Sequence, residues 1–289
     1  MNAIIILIVM ASVVAVPAQR DPSKISPRNV ETTDTSKSLE NLPRTRIVGG
    51  ELAVPHSFPF AAFLDVTVPT GTTQCGASVI ASEWILTAAH CVDKTVNPVE
   101  VTVGSYLIYE EEDSAVTTTS SEIFVHPRWN RTAKQNDIAL IKLSKKLQFN
   151  ALIQPVKLPA RSQQAETYTG LQATAIGWGF TEDGSPIMSD KQRCVTVPVI
   201  SNCNCSAQLG VANIAESQIC TSGAGGKNPC TGDSGGPLVL RGADGDYTQV
   251  GVVSFGNYEC AAGLPNVYTR VSGFLDWISS ISNLAVRGF

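Results

Sequence analysis

From Phe60 onward the chain is written in short apolar runs. Phe60 to Val66, Ala77 to Ala81, Trp84 to Ala88, Val99 to Val103, Glu122 to Val125 and Ile138 to Leu143 come first. Leu171 to Trp178, Val195 to Ile200, Pro237 to Leu240, Val250 to Phe255 and Asn266 to Val271 follow. Many are rich in β-branched residues and bounded by Gly, Pro, Asn or Asp, which is the pattern of strands punctuated by turns. The 23 Gly and 16 Pro fit that reading and not a helix bundle. No sequence repeat is present, and no alternation of strands with helices builds a parallel sheet. A helical pattern emerges only at the end. Ser272 is expected to cap a helix carrying Phe274, Leu275, Ile278 and Ile281 on one face. The expected fold is an all-β barrel or sandwich closed by a C-terminal helix.

The N-terminus has a different character. Ala3 to Val16 is apolar except for Ser12. That run is short of the roughly 20 residues a membrane span needs. Small residues at Val16-Pro17-Ala18 then offer a cleavage site, so residues 1–18 read as a secretory signal peptide, although no Lys or Arg precedes the apolar run. Residues 19–46 are polar, with three prolines, no cysteine and no apolar period, as in a flexible pro-segment. It ends at Pro43-Arg44-Thr45-Arg46 and turns abruptly to Ile47-Val48-Gly49-Gly50. Residues 47–289 form the expected domain. If residues 1–46 are removed, six basic and four acidic residues leave with them, and the formal charge of −4 becomes −6. An acidic balance disfavours nucleic-acid backbones as partners. Eight cysteines suit an oxidising, extracellular compartment, with no membrane attachment after processing.

Three segments carry chemistry. Thr87-Ala88-Ala89-His90-Cys91 places one of only three histidines at the end of an apolar strand. Imidazole is the usual general base at neutral pH, though a histidine in such a place can equally be structural. In Asn136-Asp137-Ile138-Ala139-Leu140-Ile141 an acid leads into a wholly apolar strand. By default Asp137 is a strand-end residue; it can also orient a histidine and stabilise its cation. Cys230-Thr231-Gly232-Asp233-Ser234-Gly235-Gly236-Pro237 surrounds a serine with glycines, which lets backbone and its N–H groups approach a substrate. The bare G-x-S-x-G pattern also fits an α/β-hydrolase elbow, but that fold orders its residues serine, acid, histidine. Here the order is His90, Asp137, Ser234.

TAAHC, DIAL and GDSGGP, in that order after RIVGG, resemble the chymotrypsin-like serine proteases. Gly177-Trp178-Gly179, Ser254-Phe255-Gly256 and Val267-Tyr268-Thr269-Arg270 match further landmarks of that family. The resemblance spans residues 47–289 and is closest in style to invertebrate chymotrypsin-like and collagenase-like members. It implies two six-stranded antiparallel β-barrels packed together, with a C-terminal helix. By that likeness Ser234 is the nucleophile, His90 the base and Asp137 its orienting acid. The backbone amides of Gly232 and Ser234 would form the oxyanion hole. Cleavage after Arg46 would free Ile47, whose ammonium pairs with Asp233. The family's bridges imply Cys75–Cys91, Cys230–Cys260 and Cys205–Cys220, with Cys203 a rival for Cys220; Cys194 and Cys203 are left unassigned. If the stretch between those two is a strand, they lie too far apart to bridge each other.

Trypsin-like members carry an Asp six residues before the nucleophile. This chain has Asn228 there and Asn266 at the second wall position, with Ser254, Phe255 and Gly256 along the side. A buried Lys or Arg side chain would lack a counter-charge, so neutral P1 residues are expected. The expected activity is a secreted serine endopeptidase, made as a zymogen, with chymotrypsin-like or broad neutral preference. The alternatives are a non-enzymatic protease homologue acting as a binding module and a trypsin-like cascade protease. Expected partners are protein or peptide substrates, an activating trypsin-like protease and protein inhibitors. No cofactor or metal is expected. Glu110 to Asp113 reads as a solvated acidic loop, because Ser105 and Ala115 stand where calcium-binding relatives have ligands. Asn130 and Asn204 are glycosylation acceptors by pattern, Asn204 the poorer because its motif contains Cys205.

Overall fold

The computed structural model describes residues 49–185 and 187–288. The expected signal peptide, the pro-segment and its end at Arg46, and Ile47 lie outside the described residues. The chain runs through β1 (Glu51–Leu52), β2 (Ala61–Val68), β3 (Gly71–Ala81), β4 (Trp84–Thr87), the single turn α1 (Ala89–Val92), β5 (Val99–Val103), β6 (Val116–Ser120), β7 (Glu122–Val125) and β8 (Ala139–Lys142). β9 (Gln172–Gly177), β10 (Arg193–Ile200), α2 (Asn202–Leu209), β11 (Gln218–Thr221), β12 (Pro237–Arg241), β13 (Tyr247–Phe255), β14 (Asn266–Arg270) and α3 (Leu275–Ser282) complete it.

These strands form two antiparallel sheets. In the C-terminal one the order is β1-β10-β11-β14-β13-β12-β9, and β9 pairs back onto β10. Six strands thus close a barrel, with β1 added outside the ring. Its interior is filled by Val195, Val197, Val199, Ile219, Leu238, Val250 and Tyr268. Burial of a side chain of this kind contributes about 1.5–3 kcal/mol. In the N-terminal sheet the order is β6-β5-β2-β3-β4-β8-β7. Its end strands β6 and β7 are consecutive in the chain, parted by Ser121 alone, so the sheet curls round on itself. Closure leaves few edges open to pairing with another chain.

Local sequence explains most elements. β4 reads Trp-Ile-Leu-Thr and is buried at every position. β5 alternates Val-Glu-Val-Thr-Val and buries its valines. The C-terminal helix differs from expectation. The stretch Val271–Phe274 is a 3₁₀ turn, and α3 follows it with Phe274 at the N-cap position and no side-chain cap. The Ser272 hydroxyl is buried and takes no partner among the described residues. Phe274, Leu275 and Ile278 are buried as the pattern requires. Tertiary burial of that apolar face therefore holds the helix without a serine cap.

Of the described elements, β1, α1, β6, β11 and α2 escaped the sequence reading. β6 is Val-Thr-Thr-Thr-Ser and largely exposed, so it carries no apolar run. β11 is four residues long and begins with a buried Gln218. α2 is a surface helix that buries only Cys205; Ser201 caps it, accepting from the Asn204 amide, and Gly210 ends it in the left-handed region. The acidic loop also needs correction. Glu112 is not simply solvated: its carboxylate accepts from the Ser105 hydroxyl and from the amides of Tyr106 and Leu107. Those hydrogen bonds hold its pKa below the ordinary carboxylate value against an opposing desolvation.

Candidate active site

Strands β4 and β8 are antiparallel neighbours, with Thr87 opposite Ala139. The residues just after β4 and just before β8 therefore emerge at the same end. His90 and Asp137 occupy those places. His90 Nδ1 lies 2.7 Å from Asp137 Oδ2, and the His90 amide donates to Asp137 Oδ1 at 2.9 Å. Asp137 is fully buried. The other sheet completes its shell: the Ser254 hydroxyl of β13 donates to Oδ2 at 2.6 Å, and the Thr269 hydroxyl of β14 donates to the Asp137 carbonyl at 2.7 Å. A carboxylate facing Nδ1 favours the tautomer with its proton on that nitrogen, which leaves Nε2 as the acceptor.

Ser234 arrives from the C-terminal barrel, three residues before β12. Its carbonyl accepts from the Gly76 amide of β3 at 2.8 Å, which sews the serine loop to the opposite sheet. Close approach requires glycine next door. Gly235 has φ +80°, and a Cβ there would stand 2.3 Å from the Thr87 hydroxyl oxygen and 2.5 Å from the Gly76 carbonyl. Ser234 and His90 line one cavity of about 260 Å³ without a hydrogen bond between their side chains. In the serine loop the amides of Cys230, Asp233, Gly235 and Gly236 all donate to protein oxygens. Among the described residues the amides of Gly232 and Ser234 donate to none, so both remain available to a ligand oxygen.

The same cavity contains Asn228, Ser254, Phe255, Gly256 and Asn266. Among the described residues no Asp or Glu lines it, and Lys134 and His90 are its basic residues. Asn228 is buried, and its amide nitrogen donates to the carbonyls of Cys260 and Leu264, each at 3.0 Å. Its Oδ1 is covered and has no partner among the described residues. Asn266 crowds the opposite wall. A Cβ on Gly256 would lie 2.3 Å from its Oδ1. Lys134, at φ +51°, and the fully exposed Tyr258 at the rim were not foreseen, since nothing local marks either as a neighbour of His90.

Asp233 points away from this cavity. Its carboxylate is completely buried and accepts from the amides of Gly179 (2.7 Å) and Cys230 (2.9 Å). Desolvation pushes its pKa up to about 6, only partly offset by those two hydrogen bonds. Three disulfides brace the frame: Cys75–Cys91 beside His90, Cys230–Cys260 behind the cavity and Cys205–Cys220 joining α2 to β11. Cys194 is a buried thiol and Cys203 an exposed one. Among the described residues two groups of metal-ligand residue types come together, Cys75 with His90 and Cys91, and Asp183 with Cys230 and Cys260. Every sulfur in them is tied up in a disulfide, so neither offers thiolate ligands.

A family model for trypsin matches residues 47–278. The chain belongs to the trypsin family. It is a chymotrypsin-like serine endopeptidase with invertebrate-style relatives. Brachyurin of Leptuca pugilator is 40% identical over 235 residues, covering 81% of this chain and 97% of brachyurin. Chymotrypsin of Phaedon cochleariae is 34% identical over 269 residues, covering 93% and 94%. Among solved structures, that of HL collagenase matches with a TM-score of 0.74 and 35% identity, covering 82% of this chain and 99% of that one.

Proposed function

We propose that this serine endopeptidase is a secreted zymogen, activated by cleavage after Arg46, that prefers neutral P1 residues. Ser234 attacks the scissile carbonyl. His90 Nε2 takes its proton and later delivers it to the leaving amine, while Asp137 keeps the imidazole in the productive tautomer and stabilises the cation that forms. The Gly232 and Ser234 amides receive the oxyanion; loss of one such donor in related chemistry costs about 10²–10³ in kcat. The observation that carries this reading is the buried Asp137 hydrogen-bonded to His90, which lines one cavity with Ser234. Among the described residues no carboxylate lines the cavity, which supports a neutral P1 side chain, because a desolvated cation finds no counter-charge there. Asn228 and Asn266 are its selectivity residues, and Ser254, Phe255 and Gly256 its side wall.

A pocket of that kind accepts Arg46 poorly, so a separate trypsin-like protease makes the activating cut. The freed ammonium of Ile47 then neutralises Asp233. Partners beyond protein substrates are that activator and protein inhibitors. Asn130 and Asn204 are both exposed, and Asn130 is the better glycosylation acceptor because Cys205, inside the Asn204 motif, is held in a disulfide. Ser234→Ala tests the reading. It removes the nucleophile with little change in packing, so peptide hydrolysis by the cleaved chain is expected to fall by several orders of magnitude with an unchanged melting temperature. Residual catalysis of about 10³–10⁴-fold over water can persist through the remaining donors. Turnover near wild type in that variant would refute the assignment.

A further inference from the structure

The loop after Trp178 reaches round to the back of the cavity. Asp183, itself exposed, accepts from the Cys260 amide through Oδ1 at 2.6 Å and from the Ala261 amide through Oδ2 at 3.1 Å. Those amides open the short 3₁₀ turn Cys260–Ala262, whose first residue lines the cavity between Gly256 and Asn266. The carbonyl of the same Cys260 accepts from Asn228 Nδ2 at 3.0 Å. One residue of the wall is thus gripped at both ends, by Asn228 from inside and by Asp183 from outside. The loop bearing Asp183 is itself anchored to the serine loop: the Phe180 amide donates to the Thr231 carbonyl at 2.8 Å, and Phe180 packs against the Cys230–Cys260 disulfide.

We infer that Asp183 is a positioning residue for P1 selection, holding the wall at Cys260 in the place that admits a large side chain. This rests on the reading of the cavity as the P1 pocket. Without the carboxylate, two amides lose a charge-assisted acceptor, and Cys260 keeps the Asn228 hydrogen bond and its disulfide. A long P1 side chain reaches the floor where Asn228 and Cys260 meet, and it feels the displaced wall. A P1 alanine stops short of the floor. The nucleophile, His90 and Asp137 lie on other segments, so the chemical step is spared.

The experiment uses the full chain, cleaved after Arg46 by an added trypsin-like protease that is then inhibited, with active sites counted by burst titration. Wild type, Asp183→Ala and Asp183→Asn are compared on matched Phe and Ala P1 peptides. Asp183→Ala is expected to raise KM for the Phe peptide about tenfold with kcat within twofold, while KM for the Ala peptide stays within twofold. Asp183→Asn keeps one acceptor oxygen and is expected to fall between. If KM for the two peptides moves together, or moves for neither, Asp183 does not act through the P1 wall. An Asn variant as impaired as the Ala variant overturns the hydrogen-bond account. A cleaved wild-type chain inactive on both peptides would instead sink the reading of the cavity as a neutral P1 pocket, and this inference with it.

Discussion

Asn228 shows how one residue can hold both a pocket and its selectivity. Its amide nitrogen satisfies two carbonyls, of Cys260 and Leu264, while its oxygen stays covered. Asn228→Asp, the obvious route to a trypsin-like pocket, removes both donations and sets a carboxylate against two carbonyl oxygens. Leaving buried acceptors unsatisfied costs about 1–3 kcal/mol each. The variant is therefore expected to melt several degrees lower, at about 2–4 °C per kcal/mol for a domain of this size. Its kcat/KM for an Arg peptide is expected to rise relative to Phe, but far less than a fitted counter-charge allows. Thermal melts and kcat/KM on matched Phe, Leu and Arg peptides check this. Unchanged ratios in a folded, active variant would show that Asn228 does not meet the P1 side chain.

At the scale of elements, β10 decides the fate of the spare cysteines. Cys194 sits near its start, opposite Glu51 of β1 and Ile176 of β9, and Cys203 lies beyond its end on α2. An extended strand of about 3.3 Å per residue keeps them well outside disulfide range. Burial raises the Cys194 thiol to about 11, with the Glu51 charge a smaller contribution. The thiolate is the reactive form, so the two thiols separate cleanly. A brief exposure of the native protein to a thiol-alkylating reagent at pH 8 is expected to label Cys203 and leave Cys194 until the protein unfolds. Peptide mapping by mass spectrometry reads the outcome; equal labelling in the native state would mean that β1 does not cover Cys194.

For the whole molecule, the seam between the two sheets is where energetics and activity meet. Asp137 leans on donors from β13 and β14, and the Ser234 carbonyl on a donor from β3. Asp233 lies buried in the same region with no cation bonded to it among the described residues. Its native pKa of about 6 stands above the ordinary 3.8. Folding is therefore favoured by this group below about pH 4, and that contribution is lost as pH rises through about 6, a change of about 3 kcal/mol. The uncut chain is expected to unfold at lower urea at pH 7 than at pH 4 by this amount, and Asp233→Asn to flatten the difference. Cleavage after Arg46 is expected to reduce it too, through the Ile47 ammonium. A urea midpoint in the uncut chain that does not respond to Asp233→Asn at either pH would show that the carboxyl is not desolvated.

Much of this was legible in one dimension, for physical reasons. Strands buried on one or both faces must be written in short apolar runs, so the all-β class and most strands could be read directly. The serine loop needs glycines where backbones nearly touch, so GDSGGP is recognisable as a string. Elements that bury little, such as β6 and α2, leave no such mark. Nor does any string record that Ser254 and Thr269 complete the shell of Asp137, that Asn228 spends its amide on its own pocket wall, or that Asp183 clasps Cys260 across 77 positions. Those contacts join residues far apart in sequence, and a chain writes down its local preferences and its burial pattern, whereas which distant backbone amide meets which carboxylate is settled when two curled sheets close on each other.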